Sequence, residues 1–296
     1  MRKQFLLASL VSSTVLLAAC GGSNGGNING GTSTSNNNAA ETPTTAPPNS
    51  STPQPSIHAA CRPDGSFTYS GSASQIAVNN GQLAVVVVPT LPNAYAKNRN
   101  MTAADVPASS LVQQPGGAFT TLASSAAETD CLGLEHGAVT EIQSVGSDVA
   151  IGRWNKAMDT DGNTYNDQQG VHYAVGTPLS LSATSGTLVC TQLIADAVAS
   201  DDGSPGGTLE TSSATLDLAT RTLNNLNLSI NWANTPFALT NTQRTVTSAQ
   251  APLNGVSTNG PLLVQSVVVG RDATQPLVAV GYSTVSFGGV VVLSCH

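Results

Sequence analysis

Residues Asn225 to Trp232 read NLNLSINW, with Leu226, Leu228, Ile230 and Trp232 alternating with Asn227, Ser229 and Asn231. A period of two puts successive side chains on opposite faces, so this segment has one apolar face and one wetted face, as in an antiparallel sheet. Just upstream, Leu216 and Leu218 alternate in SATLDLATRT (213–222), and Ala219 to Thr222 form the connection.

The same reading extends in both directions. Pro261 to Gly270, Leu277 to Val285 and Gly289 to Ser294 complete a C-terminal meander. Val139 to Val145 and Asp148 to Asn155 flank Gly146 as paired strands, and Ser66 to Gly71 is a short alternating one. Asn79-Asn80-Gly81 is a turn, because Asn and Gly tolerate positive φ. It leads into Gln82 to Pro89, whose LAVVVV has no polar face and suits a strand buried on both sides. Residues 118–130 read as a helix. The expected class is all-β: an antiparallel eight-stranded barrel, with a β-sandwich as the alternative, following a disordered tether.

The N-terminus carries an address. Arg2 and Lys3 precede an apolar run from Phe5 to Leu17, and Leu17-Ala18-Ala19-Cys20 closes it. The run is too short to cross ~30 Å of hydrocarbon, so residues 1–19 read as a signal peptide. LAAC resembles the bacterial lipobox, whose cysteine becomes the lipid-bearing first residue of the mature chain. Cys20 is then the lipidation site, and Gly21 after it implies export to an outer membrane. Residues 21–57 are mostly Gly, Ser, Asn, Thr and Pro with one charge, Glu41. They bury too little apolar surface to offset their ordering entropy, so 20–57 reads as anchor and disordered linker.

Only 9% of residues are charged, and removal of Arg2 and Lys3 lowers the formal charge of −7 by two, to −9. No basic patch exists for nucleic acid or anionic lipid. At 4% aromatic, the chain offers few stacking platforms for carbohydrate, and Trp154 and Trp232 read as core. No phosphate loop or dinucleotide fingerprint is present, so no cofactor is expected. Cys61, Cys131, Cys190 and Cys295 remain once Cys20 is lipidated, an even number that reads as two disulfides in an exported chain. Of three connectivities, Cys61–Cys131 with Cys190–Cys295 is favoured, because the second pair ties a mid-chain strand to the last one.

The acidic stretch MDTDGNTYND (158–167) admits two readings. Placing Gly162 at position 6 of an EF-hand loop puts Ala157 at position 1 and Gln168 at position 12, so the strongest ligands are missing. A looser calcium site of Asp159, Asp161, Asn163 and Asp167 is the second choice. The first is a hairpin tip, with Asp161-Gly162 in the turn.

Around that hairpin, Gly152-Arg153-Trp154 and then His172-Tyr173-Ala174-Val175-Gly176 resemble a pattern in transferrin-binding-protein-B-like lipoprotein barrels. SATLDLATRTLNNLNLSIN (213–231) resembles their paired strands, and GYSTVSFGGVVVL (281–293) their closing strand. The likeness covers about 148–292. It implies an eight-stranded barrel and capture of a protein at the cell surface, and it transfers no ligand residue. The implied organisation is a β-rich subdomain over 58–147 and a barrel over 148–296.

Of four histidines, His58 closes the tether and His296 ends the chain; His172 lies in a strand and reads as packing. His136 is the best candidate for a general base. Gly281-Tyr282-Ser283 begins like a nucleophile elbow, but Val285 replaces its second glycine. The expected function is therefore non-catalytic. An outer-membrane lipoprotein, exposed at the cell surface, would present a disulfide-bonded β domain to a macromolecular partner. Segments 90–115, 156–170 and 197–211 are its expected contact loops. A periplasm-facing lipoprotein for envelope assembly or small-ligand binding is the alternative.

Overall fold

The computed structural model describes residues 65–92, 100–123, 131–232, 234–241, 245–246, 255–256 and 262–296. The signal peptide, Cys20, the linker and Cys61 lie outside the described residues, as does the side chain of Cys131. The fold is all-β. Among the described residues the strands are β1 (Phe67–Gly71), β2 (Gln82–Thr90), β3 (Thr102–Pro107), β4 (Val112–Gln113), β5 (Phe119–Ala123), β6 (Cys131–Val145), β7 (Val149–Asp159), β8 (Gly170–Gly176) and β9 (Thr187–Ala195). They continue as β10 (Ala199–Ser200), β11 (Gly207–Asp217), β12 (Thr222–Trp232), β13 (Thr235–Asn241), β14 (Thr245–Val246), β15 (Gly255–Val256), β16 (Leu263–Val269), β17 (Leu277–Ser283) and β18 (Phe287–Cys295). No described helix is long and apolar enough to span a membrane.

Two sheets result. The first is a curled half-barrel in the order β3-β2-β8-β7-β6-β5-β4. The fifteen-residue β6 also carries β1 along its middle, in parallel. The second sheet runs β13-β12-β11-β9-β18-β17-β16-β15, with β14 also on β12 and β10 also on β18. Among the described residues no ladder joins the two ends of either sheet.

Alternation sorts the strand residues into three apolar layers. Inside the curl of the first sheet lie Val85, Val87, Leu122, Leu134, Trp154 and Tyr173. The second sheet encloses Leu216, Leu228, Ile230, Val280, Tyr282 and Leu293. Between the sheets, Ala84, Val86 and Val88 of β2 and Ile151 of β7 meet Val267 and Val269 of β16, Ala279 of β17 and Val290 and Val292 of β18. β2 therefore contributes alternate residues to two cores, which is why its valine run has no wetted position. Small residues let the sheets approach: a Cβ on Gly281 would lie 2.6 Å from methyl carbons of both Val86 and Val88. Each sheet also lays a buried tyrosine across a glycine on the neighbouring strand, Tyr173 opposite Gly152 and Tyr282 opposite Gly289.

Several expectations change. Phe119–Ala123 of the predicted helix is strand β5, because pairing with β6 outweighs weak local preference. The predicted boundary at 147/148 falls in the turn between β6 and β7, and β7 and β8 lie between β6 and β2 in one continuous sheet. The motifs resembling a single barrel thus fall in two sheets, GRW and HYAVG in the first and the later two in the second. The predicted contact loop at 90–115 contains β3, where Ala103, Ala104 and Val106 are buried.

Candidate functional site

In an interior this apolar, buried charge marks the place to look. Hydrogen-bond register aligns Val88, His172, Arg153 and Thr140 in one row across β2, β8, β7 and β6. Val88 belongs to the layer between the sheets, so His172 and Arg153 face the second sheet as well.

Next to this row β6 has an irregular register between Thr140 and Gln143, and Glu141 sits there with φ +59°. Bulges re-aim side chains, and this one brings Glu141 to Arg153. Its Oε1 accepts from Arg153 Nη2 at 2.6 Å and from Nε at 3.2 Å, and its Oε2 accepts from the Ala197 amide at 2.6 Å. Arg153 Nη1 donates to the carbonyl of Asp167 at 3.3 Å.

His172 finds its partner in the segment after β9. Its Nδ1 lies 2.5 Å from Asp196 Oδ2, and both side chains are 0% exposed. Asp196 Oδ1 accepts the Val290 amide at 2.9 Å, so this carboxylate ties β18 of the second sheet to β8 of the first. Burial pushes the Asp196 carboxyl up, opposed chiefly by the nearby His172. Burial also pushes the Tyr282 phenol well above its ordinary range, reinforced by Asp196 and Glu141. His172 Nε2 and Tyr282 Oη are buried with no hydrogen-bond partner among the described residues.

A histidine held by aspartate is half of a hydrolase triad, and the other half is a hydroxyl within reach of the free ring nitrogen. No such hydroxyl meets Nε2 among the described residues, and the ring has no solvent access. The geometry is that of a clamp between sheets. His136, the sequence candidate for a base, is exposed on β6 opposite Met158. Gly281 to Ser283 lie within extended β17, not on an elbow.

The hairpin reading of 158–167 holds. Asp159 is buried, and its Oδ1 accepts the amides of Asp161 at 2.9 Å and Asn163 at 3.0 Å. Gly162 follows with φ +82°, and the chain returns through a bridge between Met158 and Thr164. Burial raises the Asp159 carboxyl despite these bonds. Asp167 Oδ2 lies 3.6 Å from Lys156 Nζ. Among the described residues no three His, Cys, Asp or Glu side chains converge as metal ligands. Cys190 and Cys295 form a disulfide between directly opposed residues of β9 and β18, 4.0 Å apart at Cα. Trp154 is fully buried, its indole N–H donating to the Phe119 carbonyl at 2.7 Å, and Trp232 is half-buried against Phe287.

Two cavities accompany this arrangement. One of about 510 Å³ opens beside the Arg153 end of the row and is lined by Arg153, Gln168, Pro205, Thr208, Asn231 and Asn234. The other, about 410 Å³, is lined by Leu91, Met101, Asp201, Leu263, Val285 and Phe287 among others. Sequence reasoning missed Glu141 and Asp196, since carboxylates read as solvated, and it noted Arg153 only as a motif letter. The row becomes visible only through register. No protein-family model matches the chain, and a search of curated proteins returns no match.

Proposed function

We propose that the chain is a lipid-anchored outer-membrane lipoprotein that presents its disulfide-bonded β domain at the cell surface to a macromolecular partner. The observation that carries this reading is LAAC at 17–20 behind a short apolar run, followed by a nearly uncharged linker. Acylation of one cysteine by several chains gives stable attachment at about 0.8 kcal/mol per buried CH₂. The Gly, Ser, Asn, Thr and Pro composition of 21–57, with one charge, supports the role of a tether.

The outer face of the second sheet supports a binding role. Thr191, Ser213, Asn227 and Thr240 stand in one exposed row across β9, β11, β12 and β13. Hydroxyls and amides of this kind suit adaptable contact with a protein, as in antibody paratopes. Resemblance to transferrin-binding-protein-B-like lipoproteins points the same way.

Protease shaving of intact cells tests the placement. The domain is digested if it faces outward, and survival until the envelope is opened would refute surface display. Affinity capture with the detergent-solubilised protein then tests for the partner. The second reading, a periplasm-facing lipoprotein that holds a small ligand, is favoured by the cavity beside Arg153 and is the reading that survival would select.

A further inference from the structure

We infer that the cavity beside Arg153 binds an uncharged saccharide unit, on whichever side of the membrane the domain lies. Its volume of about 510 Å³ falls in the range of small-molecule sites, roughly 300–1,000 Å³. It is built around Arg153, only 7% exposed, whose guanidinium is braced from behind by Glu141. Of the five N–H groups of a guanidinium, three are engaged, by Glu141 and the Asp167 carbonyl, which leaves two to donate.

The remaining lining mixes donors and acceptors. Asn231 Oδ1 is buried without a partner among the described residues. Thr208 donates its proton to Glu210 at 2.5 Å and keeps its lone pairs to accept. Gln168 Oε1 is taken by the Gly206 amide at 2.9 Å and its NH₂ donates to Asp167 Oδ1 at 3.5 Å, which leaves one N–H to donate. Asn234 adds an exposed amide, and Pro205 and Val198 supply an apolar wall.

This chemistry selects the ligand class. Glu141 neutralises Arg153, and the chain as a whole is acidic, so a phosphate or carboxylate gains little here. Among the described residues no aromatic ring lines the cavity, so a nucleobase finds no platform there. The adjoining strand ends already pair, Gly207 with Trp232 and Thr208 with Asn231, so an extended peptide finds no free edge at that point. Fixed planar groups that both donate and accept fit the vicinal hydroxyls of a neutral sugar. The low aromatic content that argued against carbohydrate applies to stacking sites and not to a site built on amides and a guanidinium.

The test is saturation-transfer NMR on the full mature lipoprotein in a non-glycosidic detergent. The probes are methyl glycosides of glucose, galactose and mannose, and N-acetylglucosamine, with glucose 6-phosphate and a neutral tripeptide as alternatives. At least one neutral sugar should bind with a Kd near or below about 1 mM, the scale for a few hydrogen bonds in water. Arg153→Lys keeps the charge opposite Glu141 but loses the fork, and should weaken binding about tenfold or more. Should that variant fail to fold, Thr208→Val and Asn234→Gly at the rim should each weaken binding about threefold to tenfold while leaving the melting temperature unchanged. The proposal is overturned if no neutral sugar binds at about 10 mM, if binding ignores the rim variants, or if the phosphate or peptide binds better at the same residues.

Discussion

Replacing His172 by alanine tests whether the buried pair clamps the two sheets. Asp196 has no solvent contact, and its described partners are His172 Nδ1 at 2.5 Å and the Val290 amide at 2.9 Å. His172→Ala leaves a buried carboxylate with one amide, and breaking a buried pair in this way costs about 3–5 kcal/mol. That is a large share of a total stability of about 5–15 kcal/mol. At roughly 2–4 °C per kcal/mol for a domain of this size, the melting temperature should fall by roughly 6–20 °C. The loss should also depend on pH. In the variant, burial and the Glu141 charge still raise the Asp196 pKa while the opposing histidine is gone. A carboxyl raised in the folded state binds its proton more tightly there. Its contribution is complete below the unfolded value of about 3.9 and is lost as pH rises through the folded value. The deficit relative to the parent should therefore be larger at about pH 7.5 than at about pH 5, and His172→Ala/Asp196→Asn should recover most of it. Urea melts of the three proteins at both pH values measure this. A deficit below about 1 kcal/mol at neutral pH, or one equal at both pH values, would refute the clamp.

Gly281→Ala places a Cβ 2.6 Å from carbons of Val86 and Val88 and should cost about 1–3 kcal/mol by forcing the sheets apart, read by urea melts. Cys190→Ala/Cys295→Ala opens a link across 105 residues and should cost about 4.7 kcal/mol in the chain-entropy model, read by urea melts. Asp105 on β3 is pushed up to about 6 by burial, and its Oδ1 has no partner among the described residues. Its favourable share is present below about pH 4 and lost as pH rises through about 6, so Asp105→Asn should stabilise by ~1 kcal/mol at pH 7.5, after discounting for partial exposure, and by nothing at pH 4. Asp159→Ala removes the acceptor for two turn amides and should cost about 1–2 kcal/mol, while calcium and chelator leave the melting temperature unchanged.

The strands were legible because burial of one or both faces writes itself into residue order. NLNLSINW became β12 with Leu226, Leu228 and Ile230 inside and Asn227 outside, and the turn at Asp217 to Thr222 fell where SATLDLATRT placed it. LAVVVV became a strand buried on both faces, and Asp161-Gly162 became a hairpin tip. The Cys190–Cys295 link followed from its strands. The parallel pairing of β1 with β6 was not legible, because alternation specifies which face is apolar and says nothing of strand direction or neighbour.

The amino-acid order by itself determined the all-β class, most strand positions and the acidic, hydroxyl-rich composition. Only the tertiary structure decided how the strands divide between two sheets and which polar groups lie between them. The physical reason is range. Alternation and turn propensity are set within a few residues, whereas the contact of His172 with Asp196 and of Glu141 with Arg153 depends on sheet register, on a bulge and on the approach of two sheets. A carboxylate looks the same in sequence whether water or a guanidinium satisfies it.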